Sequence, residues 1–171
     1  MINLYDIGLS LFEDFISEET EAELLQNIKK ASRFDTDTRN TIQRFGCNKA
    51  YPDNVVSDAI PECFEKVVDT LIDQNILTQR SNSITINEYL EGQRILAHID
   101  NQKSGDTIVI LSLLGDATMV FEKDVRDQIP IHKVFIPRRS LIKMVGEVRW
   151  RWKHSIEPVV STRYSVVFRR S

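Results

Sequence analysis

The sequence predicts an α+β fold in which two helices precede a series of strands arranged as a β-sandwich or jelly roll, with the helices packed on one side. Apolar residues recur at helical spacing in two segments before residue 80, while shorter segments after residue 82 alternate or run apolar as strands do. Turn-forming residues separate the strand-like segments. The chain has 171 residues, 42% of them hydrophobic, which suits one domain with a substantial core.

The first 80 residues are predicted to contain two strands and two helices, in alternating order. These elements cover residues 9–16, 17–31, 41–46 and 61–75. Ser17 can cap the first helix, and two lysines in its last turn complement the helix dipole. Pro61 suits the start of the second helix. Asn, Pro and Asp residues between positions 47 and 58 indicate a loop.

The rest of the chain is predicted to consist of strands, and it contains neither an internal repeat nor a low-complexity segment. The strand-like segments are 83–90, 94–100, 107–115, 117–123, 133–137, 140–152 and 163–170. The run at 107–115 is continuously apolar and rich in β-branched residues, which favours a strand buried on both faces. The sequence SLIKMVG, at 140–146, is equally compatible with a strand and a short helical piece.

Composition indicates an intracellular, cytoplasmic or nuclear protein that is neither secreted nor embedded in a membrane. Two cysteines without C-x-x-C spacing are expected to be reduced thiols, and no apolar run reaches the roughly 18 residues of a membrane span. The net charge is −3, but residues 122–171 contain 12 Lys+Arg against 5 Asp+Glu. That asymmetry permits a basic face for a polyanion, and it is equally explained by charges on exposed strand positions.

The sequence LAHIDN, at 96–101, contains the first candidate for chemistry. His98 and Asp100 are two residues apart on a predicted strand, so both side chains are expected on the same face. A second histidine beside them would complete the two-histidine, one-carboxylate set that binds iron and leaves coordination positions open. His132 and His154 are the available histidines, and spacing alone does not choose between them. The alternative is a polar pair on a hydrated surface.

A second pattern lies on the last predicted strand, where Arg163 and Arg169 are six residues apart and therefore share a face. The guanidinium group pairs bidentately with carboxylates, so a buried arginine near iron would suit the distal carboxylate of 2-oxoglutarate. Asn87 and Tyr89 share a face of an earlier strand, and both can donate hydrogen bonds to a carboxylate.

Together, N-x-Y, H-x-D, a distant histidine and R-x5-R resemble the AlkB family of iron- and 2-oxoglutarate-dependent dioxygenases. The sequences PRRSL (137–141) and GEVRWRWKHSI (146–156) resemble the second half of that family, especially members that act on tRNA or protein. The resemblance extends from about residue 39 to residue 170. It implies a double-stranded β-helix (jelly roll) with N-terminal helices packed on one side. Residues 1–80 would then provide helical support and a substrate lid, and residues 81–171 the catalytic core.

The resemblance also implies the cofactors, which are Fe(II), 2-oxoglutarate and O2. Carried over by position, His98, Asp100 and His154 would bind the metal, and Arg163 would hold the 2-oxoglutarate carboxylate. The residues implied for the 2-oxoglutarate pocket are Asn87, Tyr89, Ile95, Arg163, Ser165 and Arg169. Arg169 would also support the metal site. Ser165 stands where many members of the family have asparagine.

For the reaction, the resemblance implies oxidative demethylation of N-alkylated bases in DNA or RNA, with release of formaldehyde, succinate and CO2. The alternatives are hydroxylation of a modified tRNA base or of a protein side chain, and a member of the fold that binds nucleic acid or a partner without turnover. A monomer that binds nucleic acid is expected. The residues expected to face the substrate are Arg39, Arg44, Phe45, Tyr51 and Gln102. Gln102 replaces an acidic residue of the DNA-repair members.

Trp150 and Trp152 are also two residues apart, and on a strand they would share a face. Such a pair can stack on a base or pack in the core.

Overall fold

The computed structural model describes residues 3–31, 41–47, 58–123 and 131–171. Two of the expected substrate residues, Arg39 and Tyr51, lie outside this part of the chain, as does most of the predicted loop at 47–58. The described residues form ten strands and three α-helices, with short 3-10 turns at Leu4–Ile7 and Gln102–Ser104. No helix in these ranges is both long and apolar enough to cross a membrane.

The helices and strands alternate early in the chain, and strands dominate the remainder. The helices are α1 (Glu18–Lys30), α2 (Glu62–Asp73) and α3 (Gly146–Arg151). The strands are β1 (Leu9–Phe12), β2 (Thr41–Gly46), β3 (Ser83–Tyr89), β4 (Ile95–His98), β5 (Ile108–Leu113), β6 (Ala117–Glu122), β7 (Ile131–Ile136), β8 (Leu141–Met144), β9 (Lys153–Ile156) and β10 (Arg163–Arg169).

The strands form two sheets in which every strand pair is antiparallel. The larger sheet has the order β1-β8-β5-β10-β3-β2 and the smaller one the order β4-β9-β6-β7. Of the eight strands β3 to β10, consecutive strands lie in different sheets except for the β6–β7 hairpin, as in a jelly roll, and β1 and β2 extend the larger sheet at its two edges. The predicted double-stranded β-helix is therefore confirmed.

Two apolar cores hold the layers together. One lies between the sheets, where Trp152, Phe121 and Ile108 are fully buried. The other lies between the larger sheet and α1 and α2, which contribute Leu24 and Phe64 among others. All six residues of β5 are buried because this strand has a core on each face, as its continuous apolar sequence predicts. The helices α1 and α2 thus pack on one side of the jelly roll.

The start of α1 follows from its sequence, and one buried carboxylate ties the helix to the sheets. Ser17 caps α1 by accepting a hydrogen bond from the Thr20 N–H. Glu21, inside the first turn, accepts hydrogen bonds from the backbone N–H of Leu114 at 2.7 Å and from Arg138 Nε at 2.7 Å. This carboxylate links α1 to the turn after β5 and to the segment between β7 and β8.

The segment GEVRWRW corrects one prediction, because it forms a helix and not a strand. After β8 the chain turns at Gly146 (φ +54°) into α3, which ends before β9. The two tryptophans therefore do not share a strand face. Trp150 is 37% exposed on α3, whereas Trp152 follows the helix and is fully buried between the sheets. A short helix at this point lets the chain cross from the larger sheet to the smaller one.

Candidate active site

A cavity of about 250 Å³ lies between the two sheets at the end of the jelly roll where β4 and β9 pair. Its walls come from both sheets, and they combine apolar side chains with a concentrated set of polar ones. The polar and charged side chains lining it are Thr85, Asn87, Tyr89, His98, Asp100, Asn101, His154, Arg163, Ser165 and Arg169. A small cavity with convergent polar groups is the usual form of a ligand site.

His98, Asp100 and His154 meet at one end of this cavity. Their ligand atoms all lie within 4.8 Å of one another. His98 Nε2 is 3.9 Å from Asp100 Oδ1, and His154 Nε2 is 3.9 Å from Asp100 Oδ2. Two imidazole nitrogens and a carboxylate are the donor set of the facial triad that holds Fe(II) in oxygenases. Among the residues that the structure describes, this is the only group of three such side chains with that geometry.

In contrast to what their spacing predicts, His98 and Asp100 do not lie on one face of a strand. β4 ends at His98, and Asp100 lies in the loop that follows it. His98 pairs with His154 across the two strands, and the register shifts between Ile95 and His98. The Nδ1 atom of His98 lies 2.8 Å from the Leu96 carbonyl, which can only accept a hydrogen bond. Nδ1 therefore carries the proton, and the Nε2 lone pair is directed to the cluster.

His154 and Asp100 are held in the ionisation states that suit metal ligands. Burial lowers the pKa of His154 from its ordinary 6.5 to about 4, with the Asp100 charge opposing the shift, so the imidazole is neutral at neutral pH. Burial alone would raise the pKa of Asp100, but the positive charge of Arg169, with smaller contributions from the neighbouring His154 and His98, outweighs it and lowers the pKa. Arg169 Nη2 donates to Asp100 Oδ1 at 3.1 Å, and its Nη1 donates to Thr85.

Arg163 also lines the cavity, and two of its donors lack partners among the described residues. Its side chain is fully buried in the wall of the cavity, and its Nε donates to Ser112 Oγ at 2.9 Å. Nη1 and Nη2 are also buried, and neither has a partner among the described residues. A buried guanidinium with both terminal nitrogens free is unfavourable unless a bound anion pairs with it. The residues therefore fit a carboxylate ligand here, in addition to a metal ion at the histidines.

Polar side chains on β3 and β10 complete this wall of the cavity. Asn87 Nδ2 lies 3.2 Å from Ser165 Oγ, directly across the strand pair. Tyr89 lies with its ring 5.4 Å from the Arg163 guanidinium carbon, and burial raises the pKa of its hydroxyl, so it stays a hydrogen-bond donor. Ile95 also lines the cavity.

The expected substrate residues are placed less favourably. Phe45 is a correction: it is only 4% exposed and stacks on Phe64 in the core beneath the helices, so it faces away from the cavity. Side chains alternate along β2, so Phe45 lies on the opposite face from Ile42, which lines the cavity. Arg44 is half-buried, and Gln102 is exposed in the 3-10 turn; neither lines the cavity.

Other cavity residues were not predicted from sequence. Ile42, Ile99 and Asn101 line the cavity, and Ser112 holds Arg163 from outside it. Alternation along β2 would have identified Ile42 once the cavity-facing side of that strand was known. Ile99 and Asn101 flank Asp100 in a loop, where residue spacing does not indicate direction.

The basic residues of the second half are mostly engaged in internal contacts. Arg163 and Arg169 lie in the cavity, while Arg138 pairs with Glu21 and Lys133 pairs with Glu157. Part of the excess of basic residues at 122–171 is therefore used inside the protein, in the cavity and in holding α1, and does not contribute to a basic surface.

His132 is separate from the cluster and faces Trp152, with ring centroids 5.4 Å apart. The structure thus brings His154, and not His132, to the pair in LAHIDN.

Comparisons with known proteins agree with this geometry. Residues 46–169 match the sequence model of the 2OG-Fe(II) oxygenase superfamily. The chain is 32% identical over 164 residues to the tRNA (carboxymethyluridine(34)-5-O)-methyltransferase ALKBH8 of Macaca fascicularis, covering 87% of this chain and 24% of that protein. The mouse protein of the same name is 31% identical, with 88% and 24% covered. The solved structure of OsALKBH1 superposes with a TM-score of 0.77 at 16% identity, covering 96% of this chain and 98% of that one.

Proposed function

Since this chain belongs to the 2OG-Fe(II) oxygenase superfamily and is an AlkB-like dioxygenase that uses Fe(II), 2-oxoglutarate and O2, we propose that it hydroxylates a carbon atom of a modified base in tRNA. The proposed substrate class rests on the 32% identity, over 87% of this chain, to a relative named for tRNA carboxymethyluridine. The chain spans 24% of that relative. Its named methyl transfer is not an oxidation, so we transfer the substrate class and not the reaction.

We assign the metal to His98, Asp100 and His154. The Nδ1 atom of His98 faces the Leu96 carbonyl and leaves Nε2 for the metal. His154 is neutral at neutral pH, and the Asp100 carboxylate is ionised, so the set offers imidazole nitrogens and one negative ligand. When bound, Fe(II) and 2-oxoglutarate supply the oxidising chemistry: O2 converts 2-oxoglutarate to succinate and CO2, and one oxygen atom enters a substrate C–H bond. Arg169 keeps the Asp100 carboxylate charged and oriented.

We assign the distal carboxylate of 2-oxoglutarate to Arg163. Its two free Nη donors form a planar fork that matches a carboxylate, and complete burial keeps water from competing for it. Tyr89 lies beside the same guanidinium and remains protonated. The apolar side chains of Ile110, Met119 and Val167 line the cavity and limit water near the reacting atoms.

The substrate would enter beside β2 and the loop after β4. Ile42 and Ile99 present apolar surface to the cavity, and Asn101, whose Oδ1 accepts a hydrogen bond from the Lys103 N–H, also lines it. Apolar walls suit a flat base removed from its stack. A carbon-attached group keeps its new hydroxyl, because only an N- or O-attached hydroxymethyl group collapses to formaldehyde. Stable hydroxylation is therefore expected on a base modified at carbon.

Incubation of the Fe(II)-loaded protein with 2-oxoglutarate, O2 and total tRNA tests the proposal, with succinate assay and mass spectrometry of the digested nucleosides. We expect tRNA to stimulate succinate formation and one modified nucleoside to gain a single oxygen atom. Formaldehyde release with loss of a methyl group would replace hydroxylation by demethylation of an N-alkylated base. Stimulation by a peptide and not by tRNA would overturn the nucleic-acid substrate.

Two variants calibrate that experiment. Asp100→Ala should abolish tRNA-stimulated succinate formation, because the one carboxylate of the cluster is lost while the apolar cores are unchanged. Arg94→Met, which removes an exposed arginine on the entry to β4, should leave turnover at the wild-type level. Retained turnover in Asp100→Ala would contradict the assignment of the metal ligands.

A further inference from the structure

Arg149 is a buried arginine on α3 whose guanidinium is surrounded by backbone carbonyls of the loop that carries Asp100. It is only 2% exposed. Nη1 donates to the Asp100 carbonyl at 3.1 Å, Nη2 to the Asn101 carbonyl at 2.8 Å, and Nε to the Gly105 carbonyl at 3.1 Å. One side chain thus connects both ends of the loop between β4 and β5.

The surroundings of Arg149 fix its direction. Its guanidinium carbon lies 4.1 Å from the centroid of the Trp150 ring, a cation–π contact. The loop itself turns sharply at Gly105, where φ is +82° and a Cβ atom would lie 2.7 Å from the Arg170 carbonyl. This conformation directs the Gly105 carbonyl to Arg149, and only glycine fits there without strain.

We propose that Arg149 is a positioning residue for the metal site: by holding the Asp100 backbone through its carbonyl, it keeps the carboxylate directed at His98 and His154. The inference rests on the metal-ligand role assigned to Asp100 above. Arg169 holds the same residue from the other side, at Oδ1. Backbone and carboxylate of Asp100 are therefore fixed by two different arginines.

The reason for an arginine follows from the geometry of the three acceptors. Asp100 lies beyond the end of β4, so no strand pairing holds its backbone in place. Ordering a loop on metal binding would reduce affinity by the conformational entropy that is lost. Arg149 orders the loop beforehand, and its planar fork reaches three carbonyls at once. A lysine would bring the same charge without that fork.

Mn(II) binding, measured by calorimetry or electron paramagnetic resonance without 2-oxoglutarate or O2, tests the proposal. The proteins compared are wild type, Arg149→Gln and Arg149→Lys, with Arg151→Gln as the matched control because Arg151 is exposed on the same helix. We expect both Arg149 variants to bind Mn(II) about 10- to 100-fold more weakly, as for other residues that orient metal ligands. Arg151→Gln should match wild type. Amide hydrogen exchange should accelerate within residues 100–105 of the Arg149 variants.

Trp150→Ala is a milder variant in case Arg149→Gln fails to fold. It keeps Arg149 and removes only the stacked ring, so Mn(II) affinity should fall by about 2- to 5-fold. Wild-type affinity in Arg149→Gln and Trp150→Ala would overturn the positioning role, and so would full rescue by Arg149→Lys, since charge alone would then suffice. Failure of the wild-type protein to bind Mn(II) would instead overturn the metal assignment, and this inference with it.

Discussion

Replacing Arg163 by methionine should strongly weaken 2-oxoglutarate binding while leaving the stability of the ligand-free protein close to that of wild type or higher. Arg163 is fully buried, and both of its Nη atoms lack partners in the described part of the chain. Its one hydrogen bond runs from Nε to Ser112 Oγ. A residue of this kind stabilises a complex and not the free fold, because its charge is desolvated before the ligand arrives.

The magnitudes follow from those contacts. Replacing a buried, incompletely paired charge by an apolar side chain of similar volume is neutral or stabilising by about 1–4 kcal/mol, and the lost Ser112 bond offsets about 1 kcal/mol. The melting temperature without ligand should therefore lie between about 3 °C below and about 8 °C above the wild-type value. Loss of one partner of a buried charge pair costs about 2–5 kcal/mol of binding, so the Kd for 2-oxoglutarate should rise roughly 30- to 4,000-fold.

Thermal unfolding of the Mn(II)-loaded protein with and without 2-oxoglutarate measures both effects. A ligand at about 100 times its Kd stabilises the fold by about 2.7 kcal/mol, so the wild-type melting temperature should rise and that of Arg163→Met should rise by at most about a third as much. Arg94→Met is the control, since it removes an exposed arginine and should respond to the ligand as wild type does. A variant that loses several degrees without ligand and still responds to 2-oxoglutarate would refute the reasoning.

Two further variants separate stability from binding. Phe45→Ala should destabilise the protein by about 3–5 kcal/mol and leave the Kd for 2-oxoglutarate unchanged, because Phe45 packs on Phe64 in the helix-side core. If the variant instead responded less to tRNA without losing stability, the prediction that Phe45 faces the substrate would be restored. Glu21→Gln should cost about 1–3 kcal/mol at pH 7, measured by urea unfolding. Burial raises the pKa of Glu21, but hydrogen bonds and charge from Arg138 and the Leu114 N–H outweigh it, so the folded-state pKa is below the ordinary 4.5. The stability difference between Glu21→Gln and wild type should therefore be complete above pH 4.5 and disappear as the pH falls through that lowered value; a difference that persists in acid would contradict the charge-based explanation.

Residue spacing was sufficient where the strands are regular. All seven residues of β10 pair with β3 without a break, so the period of two places Arg163, Ser165 and Arg169 on one face, and all three line the cavity. The same rule on β3 brings Asn87 and Tyr89 to that cavity. In these cases periodicity determines which side chains of one strand share a face, and the pairing of β3 with β10 brings the two sets together.

Spacing was insufficient where tertiary packing overrides it. The segment at 146–151 has strand-like alternation but forms α3, because the chain must cross between the sheets there and Gly146 adopts a positive φ. Phe45 is predicted to face the substrate because it lies beside a loop, whereas its face of β2 packs beneath the helices. Asp100 meets His98 through a loop and not through a shared strand face, so the H-x-D pattern succeeds for a different physical reason from the one that predicts it.

Three arginines lie in or beside this cavity, of which Arg149 and Arg163 are buried and Arg169 is largely buried, and the partners of each one decide what it does. Arg149 is satisfied by backbone carbonyls, and Arg169 donates to the Asp100 carboxylate and the Thr85 hydroxyl. Among the described residues, Arg163 is the one of the three whose two terminal nitrogens are both free. An arginine already paired within the protein can orient a ligand-bearing residue, and an unpaired one can only recognise an incoming anion. Substitution of Arg149 should therefore weaken metal binding first, and substitution of Arg163 should weaken 2-oxoglutarate binding while Mn(II) affinity stays at the wild-type value.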